Sequence, residues 1–389
     1  MRAHVDQRHQ RVLGIVRQRG SLRVAALAEE LGVSAVTVRR DVETLAGQGR
    51  LRRLHGAVVW PGPAADDPAV DRSTGPGGLA APGGSRGAEG AEGTVVGMVV
   101  PSTEHYFAEL VRGAQEELAD RGGRLVVGIS HYRRAEDEAQ ISRLLTGGVE
   151  GLLLAPVWAD GRPAPQQEEA LLGLVRPTVV VDRRIPLGSP LADVLDVVRS
   201  EHAAGAARAV HHLAGLGHRE IALLVRDTPS TPQIEEGWSA ARRACGMEAA
   251  PVTIRMDPPA DPAGIDTAVD RLCRLRESRG VRAALVHNDQ DALGVLQRLT
   301  DRGLDVPGDL ALVAYEDDLA ALTSVPLTAV APPRRAVGAA AVRCLLERIA
   351  QATGESEAPG GSAVPPRRHL ALLPELRVRA SCGGAAGEA

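Results

Sequence analysis

Apolar residues recur along this chain with two different spacings. In the first 60 residues the spacing is helical. Val12, Ile15 and Val16 fall on one face of residues 8–19, and a second apolar stripe runs through residues 24–31. A third follows through Val38, Val42 and Leu45, opened by Ser34, whose hydroxyl can accept from the free backbone N–H groups of a first helical turn. Gly32-Val33-Ser34 is a tight turn between the second and third segments. At about 100° per residue from Val38, Arg40 lies roughly opposite the buried stripe, with Thr37 and Arg39 on the flanks. Gly47 and Gly49 end that helix, and Arg50-Leu51-Arg52-Arg53-Leu54-His55 then alternates basic and apolar, the mark of a short hairpin or wing.

From Thr94 the spacing changes. Short apolar runs at 95–100, 124–129, 151–156, 178–181, 220–225, 281–286 and 310–314 alternate with amphipathic helical stretches such as 109–121, 135–146, 201–216 and 289–302. Strands buried on both faces and separated by helices build parallel sheets covered by helices. There is too much of this pattern for one small sheet, so two doubly wound lobes are expected. The predicted fold class is α/β: an N-terminal winged helix-turn-helix, then a two-lobed domain of parallel sheets.

Between the two regimes, residues 61–93 contain five Pro, nine Gly and seven Ala among 33. Such a segment buries no core and reads as a disordered linker, spanning roughly 30 Å as a flexible coil.

Charge sharpens the picture. Residues 1–60 hold eleven Arg against five acids, whereas the whole chain carries a net charge of −4. A basic head on an acidic body is the electrostatic pattern of a nucleic-acid reader whose body is kept off the polyanion. A capped helix with an arginine face fits the major groove of double-stranded DNA, and a basic ribbon suits its phosphates. Ser34, Thr37, Arg39, Arg40, Arg52, Arg53 and His55 are therefore the candidate DNA-binding residues. All 45 cationic Lys/Arg positions are arginine, which we attribute to coding bias rather than function. The four cysteines are scattered, with no paired spacing, which points to a reducing compartment and away from zinc. No run of about 18 apolar residues occurs, so a cytoplasmic protein without signal peptide or membrane span is expected.

In open α/β sheets ligands bind beyond the carboxyl ends of the strands. Those ends carry Tyr106-Phe107, His131-Tyr132, Trp158, Asp182-Arg183, Arg226-Asp227, Asn288-Asp289 and Glu316-Asp317, and five of the seven aromatic residues of the chain lie at or beside them. Rings beside carboxylates and amides suit a small polyhydroxylated molecule. No pattern here demands catalysis. His211 and His212 are adjacent and so point apart on a helix, which argues against a metal, and Gly237-Trp238-Ser239 lacks the nucleophile-elbow pattern. No cofactor is implied.

Two resemblances follow from these residues. Through Arg8, Leu27-Ala28, Leu31-Gly32-Val33-Ser34, Thr37-Val38-Arg39-Arg40-Asp41, Gly49 and Arg53-Leu54-His55-Gly56, the head resembles the DNA-binding domain of DeoR-family transcription regulators. Through Gly97-Met98-Val99-Val100-Pro101, Val181-Asp182-Arg183, Leu213-Ala214-Gly215-Leu216-Gly217-His218, Asn288-Asp289-Gln290-Asp291 and Gly303-Leu304-Asp305-Val306-Pro307, the body resembles the effector domain of LacI/GalR-type regulators, which is similar to periplasmic sugar-binding proteins. The resemblance implies that Asp182, Arg183 and Asn288 bind ligand hydroxyls and that Glu316 stands where the family usually has Asp. Tyr106, Phe107, Trp158 and Trp238 complete the candidate effector site. Two departures stand out: Ile234 occupies a position where the family commonly has an effector-binding Arg, and the family's own head and hinge helix are absent.

The expected organisation is a head over 1–60, a linker over 61–93 and an effector-binding and dimerisation domain over 94–383. Lobe one is expected at about 94–199 and 331–357, lobe two at about 200–330 and 358–383. The expected function is a homodimeric, sequence-specific transcription regulator, a repressor, acting on a palindromic operator and answering to a sugar, sugar derivative or nucleoside. A solute-binding protein or an enzyme on the same fold is the alternative.

Overall fold

The computed structural model describes residues 93–103, 106–158, 161–256, 262–354 and 365–383, together with selected positions between His9 and Val59. The chain forms two compact units, one over residues 1–88 and one over 89–389.

In the first unit His9, Arg11–Leu13, Ile15, Leu27, Ala28, Thr37, Val38, Asp41, Val42 and Leu45 are helical, and Val12, Leu13, Leu27, Ala28, Val38, Val42 and Leu45 close a small core. His9 Nε2 meets Asp41 Oδ1 at 3.1 Å, tying the first helical segment to the third. The basic ribbon is a hairpin, and it is not alone: Ser21–Arg23 (β1) pairs antiparallel with Ala57–Val59 (β3), whose other neighbour is Arg52–Leu54 (β2). The sequence reading missed β1 because three residues are too few to show a period.

The second unit has two lobes. Lobe one is built from Val95–Val100 (β4), Arg124–Ile129 (β5), Gly151–Leu154 (β6), Thr178–Val181 (β7) and Asp196–Ser200 (β8), with Tyr106–Ala119 (α1), Arg134–Thr146 (α2) and Pro165–Leu172 (α3). Lobe two contains His202–Gly215 (α4), Ile221–Val225 (β9), Thr231–Ala244 (α5), Thr253–Arg255 (β10), Pro262–Arg279 (α6), Ala283–His287 (β11), Asp289–Asp301 (α7), Ala311–Tyr315 (β12) and Thr328–Ala331 (β13). The chain then returns to lobe one as Arg334–Thr353 (α8) and His369–Leu372 (β14), and ends in lobe two with Glu375–Arg377 (β15).

Lobe one's sheet runs β14-β8-β7-β6-β4-β5 and is parallel throughout; lobe two's runs β10-β9-β11-β12-β13-β15, parallel except for β15. The chain thus crosses between lobes three times. The third crossing lies between β14 and β15, not near residue 358: β14 pairs with β8, so residues 365–372 belong to lobe one. Arg348 holds that return segment, donating to both oxygens of the fully buried Asp196 at 2.6 and 2.9 Å and to the carbonyls of Pro365 and Pro366.

Close helix crossings brace each lobe. At the α1–α8 crossing a Cβ on Gly338 would lie 2.0 Å from the Leu110 carbonyl oxygen, and one on Gly113 2.0 Å from that of Arg335. Only glycine allows this approach.

Candidate functional site

The parallel register sets strand ends side by side. β11 pairs with β12 so that His287 sits beside Tyr315, and β7 pairs with β8 so that Val181 sits beside Val198. The residues just past those ends converge on a cleft between the lobes that encloses about 350 Å³. Lobe one contributes Ser102, Tyr106, Phe107, Tyr132, Asp182 and Arg183; lobe two contributes Asp227, Thr228, Pro229, Ser230, His287, Asn288, Gln290 and Glu316.

Four non-glycine residues among those described have positive φ: His131 (52°), Tyr132 (57°), Asp182 (54°) and Glu316 (77°). All follow strands that end at the cleft, and the last three line it. L-residues avoid this region, and held there they mark sites where surrounding structure dictates the direction of a side chain.

Asp182 is the centre of a polar cluster. Its Oδ1 accepts from the Tyr106 hydroxyl at 3.1 Å and from the Ser200 amide at 3.2 Å, with His202 Nε2 3.7 Å away. His202 Nδ1 in turn meets the Tyr315 hydroxyl at 2.9 Å. Ser200 and His202 straddle the first crossing between lobes, so this polar cluster spans the hinge from a lobe-one carboxylate to the residue before Glu316, with His202 and Asp182 in ion-pair range but not hydrogen-bonded. Burial would raise the Asp182 carboxyl, but His202, Arg183 and the Ser200 amide outweigh it and hold it below the ordinary range.

Arg183 donates through Nε to the Pro156 carbonyl at 2.7 Å and through Nη1 to the Asp182 carbonyl at 2.9 Å, while its guanidinium carbon lies 5.7 Å from the centre of the Phe107 ring. Asn288 caps α7 by accepting from the Asp291 amide at 3.1 Å, which leaves its NH₂ for the cleft. Burial, reinforced by Asp289, Asp318 and Asp182 and only partly offset by Arg334, pushes the Glu316 carboxyl up to about 8. Burial, with His202 nearby, pulls His287 down to about 3, so its ring is neutral. The cleft offers hydrogen-bond donors and acceptors on both sides and aromatic faces at Tyr106, Phe107 and Tyr132.

The sequence model of the periplasmic binding protein-like domain matches residues 210–382, and that of the DeoR-like helix-turn-helix domain matches residues 8–63. An HTH-type transcriptional regulator from the aml 5' region of Streptomyces limosus is 30% identical over 300 residues, spanning 74% of this chain and 78% of that one. A solved LacI-family regulator from Sanguibacter keddieii is 30% identical, with a TM-score of 0.60 over 76% of this chain and the whole of the other. The chain belongs to the LacI family of transcriptional regulators. The ribose operon repressor of Escherichia coli is also similar, 28% identical over 263 residues that cover 67% of this chain and 76% of the repressor.

Against that family frame, Tyr106, Phe107, Asp182, Arg183, Asn288 and Glu316 come together in one cleft. Trp238 does not. It is 1% exposed in the core of lobe two, on the α5 stripe Ile234, Trp238 and Ala241, with Arg242 stacked 4.9 Å from its ring centre. Ile234 packs in the same core and is wholly buried. Trp158 is 2% exposed and packs with Leu171 and Ile185 behind the cleft; it borders an outer widening of about 810 Å³ rather than the carboxylate-lined pocket. Arg226 and Asp227 also separate: Arg226 turns inward to Asp291, and Asp227 pairs with Arg255 at the surface. The sequence reading missed Ser200, His202, Ser230 and His287.

In the head, Thr37 is helical and half-buried, and Arg52 and Arg53 lie on β2. Ser34, Arg39, Arg40 and His55, like the whole of the predicted linker up to residue 92, fall outside the described residues. No helix among the described residues is long and apolar enough to cross a membrane.

Proposed function

We propose that this protein is a repressor whose DNA binding answers to a small polyhydroxylated effector, a sugar, sugar derivative or nucleoside, held between the two lobes. The observation that carries this reading is the convergence of Asp182 and Arg183 from one lobe with Asn288 and Glu316 from the other on a single aromatic-walled cleft. A ligand that bonds both sides favours the closed arrangement, by no more than its differential affinity for the two states. The ribose operon repressor among its relatives points to the same ligand chemistry.

The DNA-binding part of the reading assigns Thr37, Arg39 and Arg40 to bases and phosphates, Ser34 to the cap of the reading helix, and Arg52, Arg53 and His55 to the backbone beside the wing. One small head neutralises few phosphates and binds at only about 10⁻⁴ to 10⁻⁶ M. A homodimer joined through the body presents two heads to a palindromic operator.

Thermal unfolding against monosaccharides, pentitols and nucleosides tests the effector reading. A ligand at 100 times its Kd adds about 2.7 kcal/mol of stability, a shift of a few degrees. Asp182→Ala and Asn288→Ala should abolish that shift. A hit whose shift survives both substitutions moves the effector out of this cleft.

A further inference from the structure

Three carboxyls line the inter-lobe cleft, those of Asp182, Asp227 and Glu316, and among the described residues that line it Arg183 is the only cation. Most of these charges are spent within the protein. Asp227 pairs with Arg255, and Arg183 turns Nε and Nη1 to the carbonyls of Pro156 and Asp182. Arg334, close by, gives both terminal nitrogens to Asp318 at 2.7 and 2.6 Å.

Two carboxyls keep unspent oxygens, one in each lobe. Asp182 turns Oδ1 to Tyr106 and Ser200, but its Oδ2 makes no hydrogen bond among the described residues, although the side chain is only 4% exposed. Glu316, held at φ 77°, makes no side-chain hydrogen bond or ion pair among them. The buried polar atoms cut off from solvent without a partner do not include these oxygens, which are therefore open to the cavity their residues line.

The surroundings of Glu316 call for a positive charge. Burial and the carboxyls of Asp289, Asp318 and Asp182 push it up to about 8, and Arg334 offsets only part of this. An acid kept protonated in this way recovers its charge when a cation comes within about 4–6 Å. An ammonium supplies the cation and up to three donors. It also suits the ring beside it: Tyr132 is 57% exposed and carries no stacked cation, whereas Phe107 and Tyr106 already hold Arg183 and Arg334. Lobe two offers the cleft no cation of its own, since Ile234 packs in the core. An anionic ligand would meet Asp182 and Glu316 with Arg183 alone to balance them.

We propose that the effector carries an ammonium: it is an amino sugar or amino polyol, with hydroxyls toward Asp182 and Arg183 and its nitrogen on Glu316. This rests on the effector reading given above and narrows its ligand class.

Isothermal titration of the full chain at pH 6.5 tests it, with glucosamine, galactosamine and mannosamine set against glucose, galactose, mannose and the three N-acetylated amines. At least one amine should bind about tenfold or more tightly than both of its neutral counterparts, the worth of a charge-assisted hydrogen bond. Its binding should release about one proton, read from the dependence of the heat on the buffer. Glu316→Gln should erase both the preference and the proton release. A preference that survives Glu316→Gln overturns Glu316 as the counter-ion. Neutral sugars that bind as tightly as the amines overturn the ammonium and leave the effector reading standing, whereas failure of every compound overturns both. If Glu316→Gln fails to fold, the proton release of the parent chain decides.

Discussion

Arg226 grips Asp291 through two hydrogen bonds of 2.6 and 2.7 Å, tying the end of β9 to the first turn of α7 directly after Asn288. Both side chains are only 9% exposed. Removing one member of such a pair leaves an uncompensated buried charge, at a cost of about 3–5 kcal/mol. Asp291→Ala should lose that much stability in denaturant unfolding, while the double replacement Arg226→Leu with Asp291→Leu should lose far less. Equal losses would mean that the attraction itself, not the orphaned charge, is what matters.

The cleft carries two titrating groups of opposite sign. Glu316 titrates at about 8 in the folded chain against 4.5 for a free carboxyl. Between those values the folded chain holds more protons than the unfolded one, so this group's contribution to stability falls as pH rises through the window. His287, at about 3 against 6.5, does the reverse and costs stability as pH drops below 6.5. Glu316→Gln should therefore raise the unfolding midpoint at pH 8.5 more than at pH 5. A variant that tracks the parent at both pH values would show that Glu316 is solvated.

Glycine substitutions should separate by sign. Gly338→Ala forces a methyl onto the Leu110 carbonyl and should cost about 1–3 kcal/mol as the α1–α8 crossing spreads. Gly215, at the end of α4, has nothing within 4 Å of an added Cβ. Gly215→Ala should gain about 0.4–1 kcal/mol by restricting the unfolded chain. Thermal unfolding of both variants settles the comparison.

Much of this fold is legible in the sequence, and the exceptions share a cause. β4, β6, β7, β9, β11 and β12 are central strands buried on both faces, so each is a continuous apolar run. β10, β14 and β15 are short strands at sheet edges, and the partly polar sequences His369–Leu372 and Glu375–Arg377 need not repeat apolar residues. β8, Asp196-Val197-Val198-Arg199-Ser200, hides because its acid is buried by Arg348, a partner 152 positions away. Missing β8 meant missing Ser200 and His202 as well, which lie where it meets the hinge. Trp238 misled for another reason: it lies close to Ile234, where the resemblance places an effector contact, yet its spacing from Ile234 and Ala241 is that of a core stripe. The acid and amide residues of the cleft were legible because each stands immediately after an apolar run.

In the head, base reading and phosphate contact should come apart on salt titration. Arg40→Ala should weaken operator binding by about 1–3 kcal/mol if it is bidentate to guanine, and should relax the choice of base at one position. Arg52→Ala should weaken all sequences alike and lower the slope of log affinity against log salt by about 1. Operator affinity unchanged in Arg40→Ala would remove that residue from the interface.

The triple crossing between lobes also imposes an order in time. The Asp196 carboxylate emerges from the ribosome 172 residues before Arg368, whose amide it accepts, and well before Arg348. At roughly 5–20 residues per second, that is about 10 to 35 s during which β8 has an open edge and all of lobe two up to β13 is being made. The lobe-two strands β9 to β13 can hence collapse before the lobe that precedes them in sequence is complete, and β8 keeps one charged, open edge until β14, close to the end of the chain, is released.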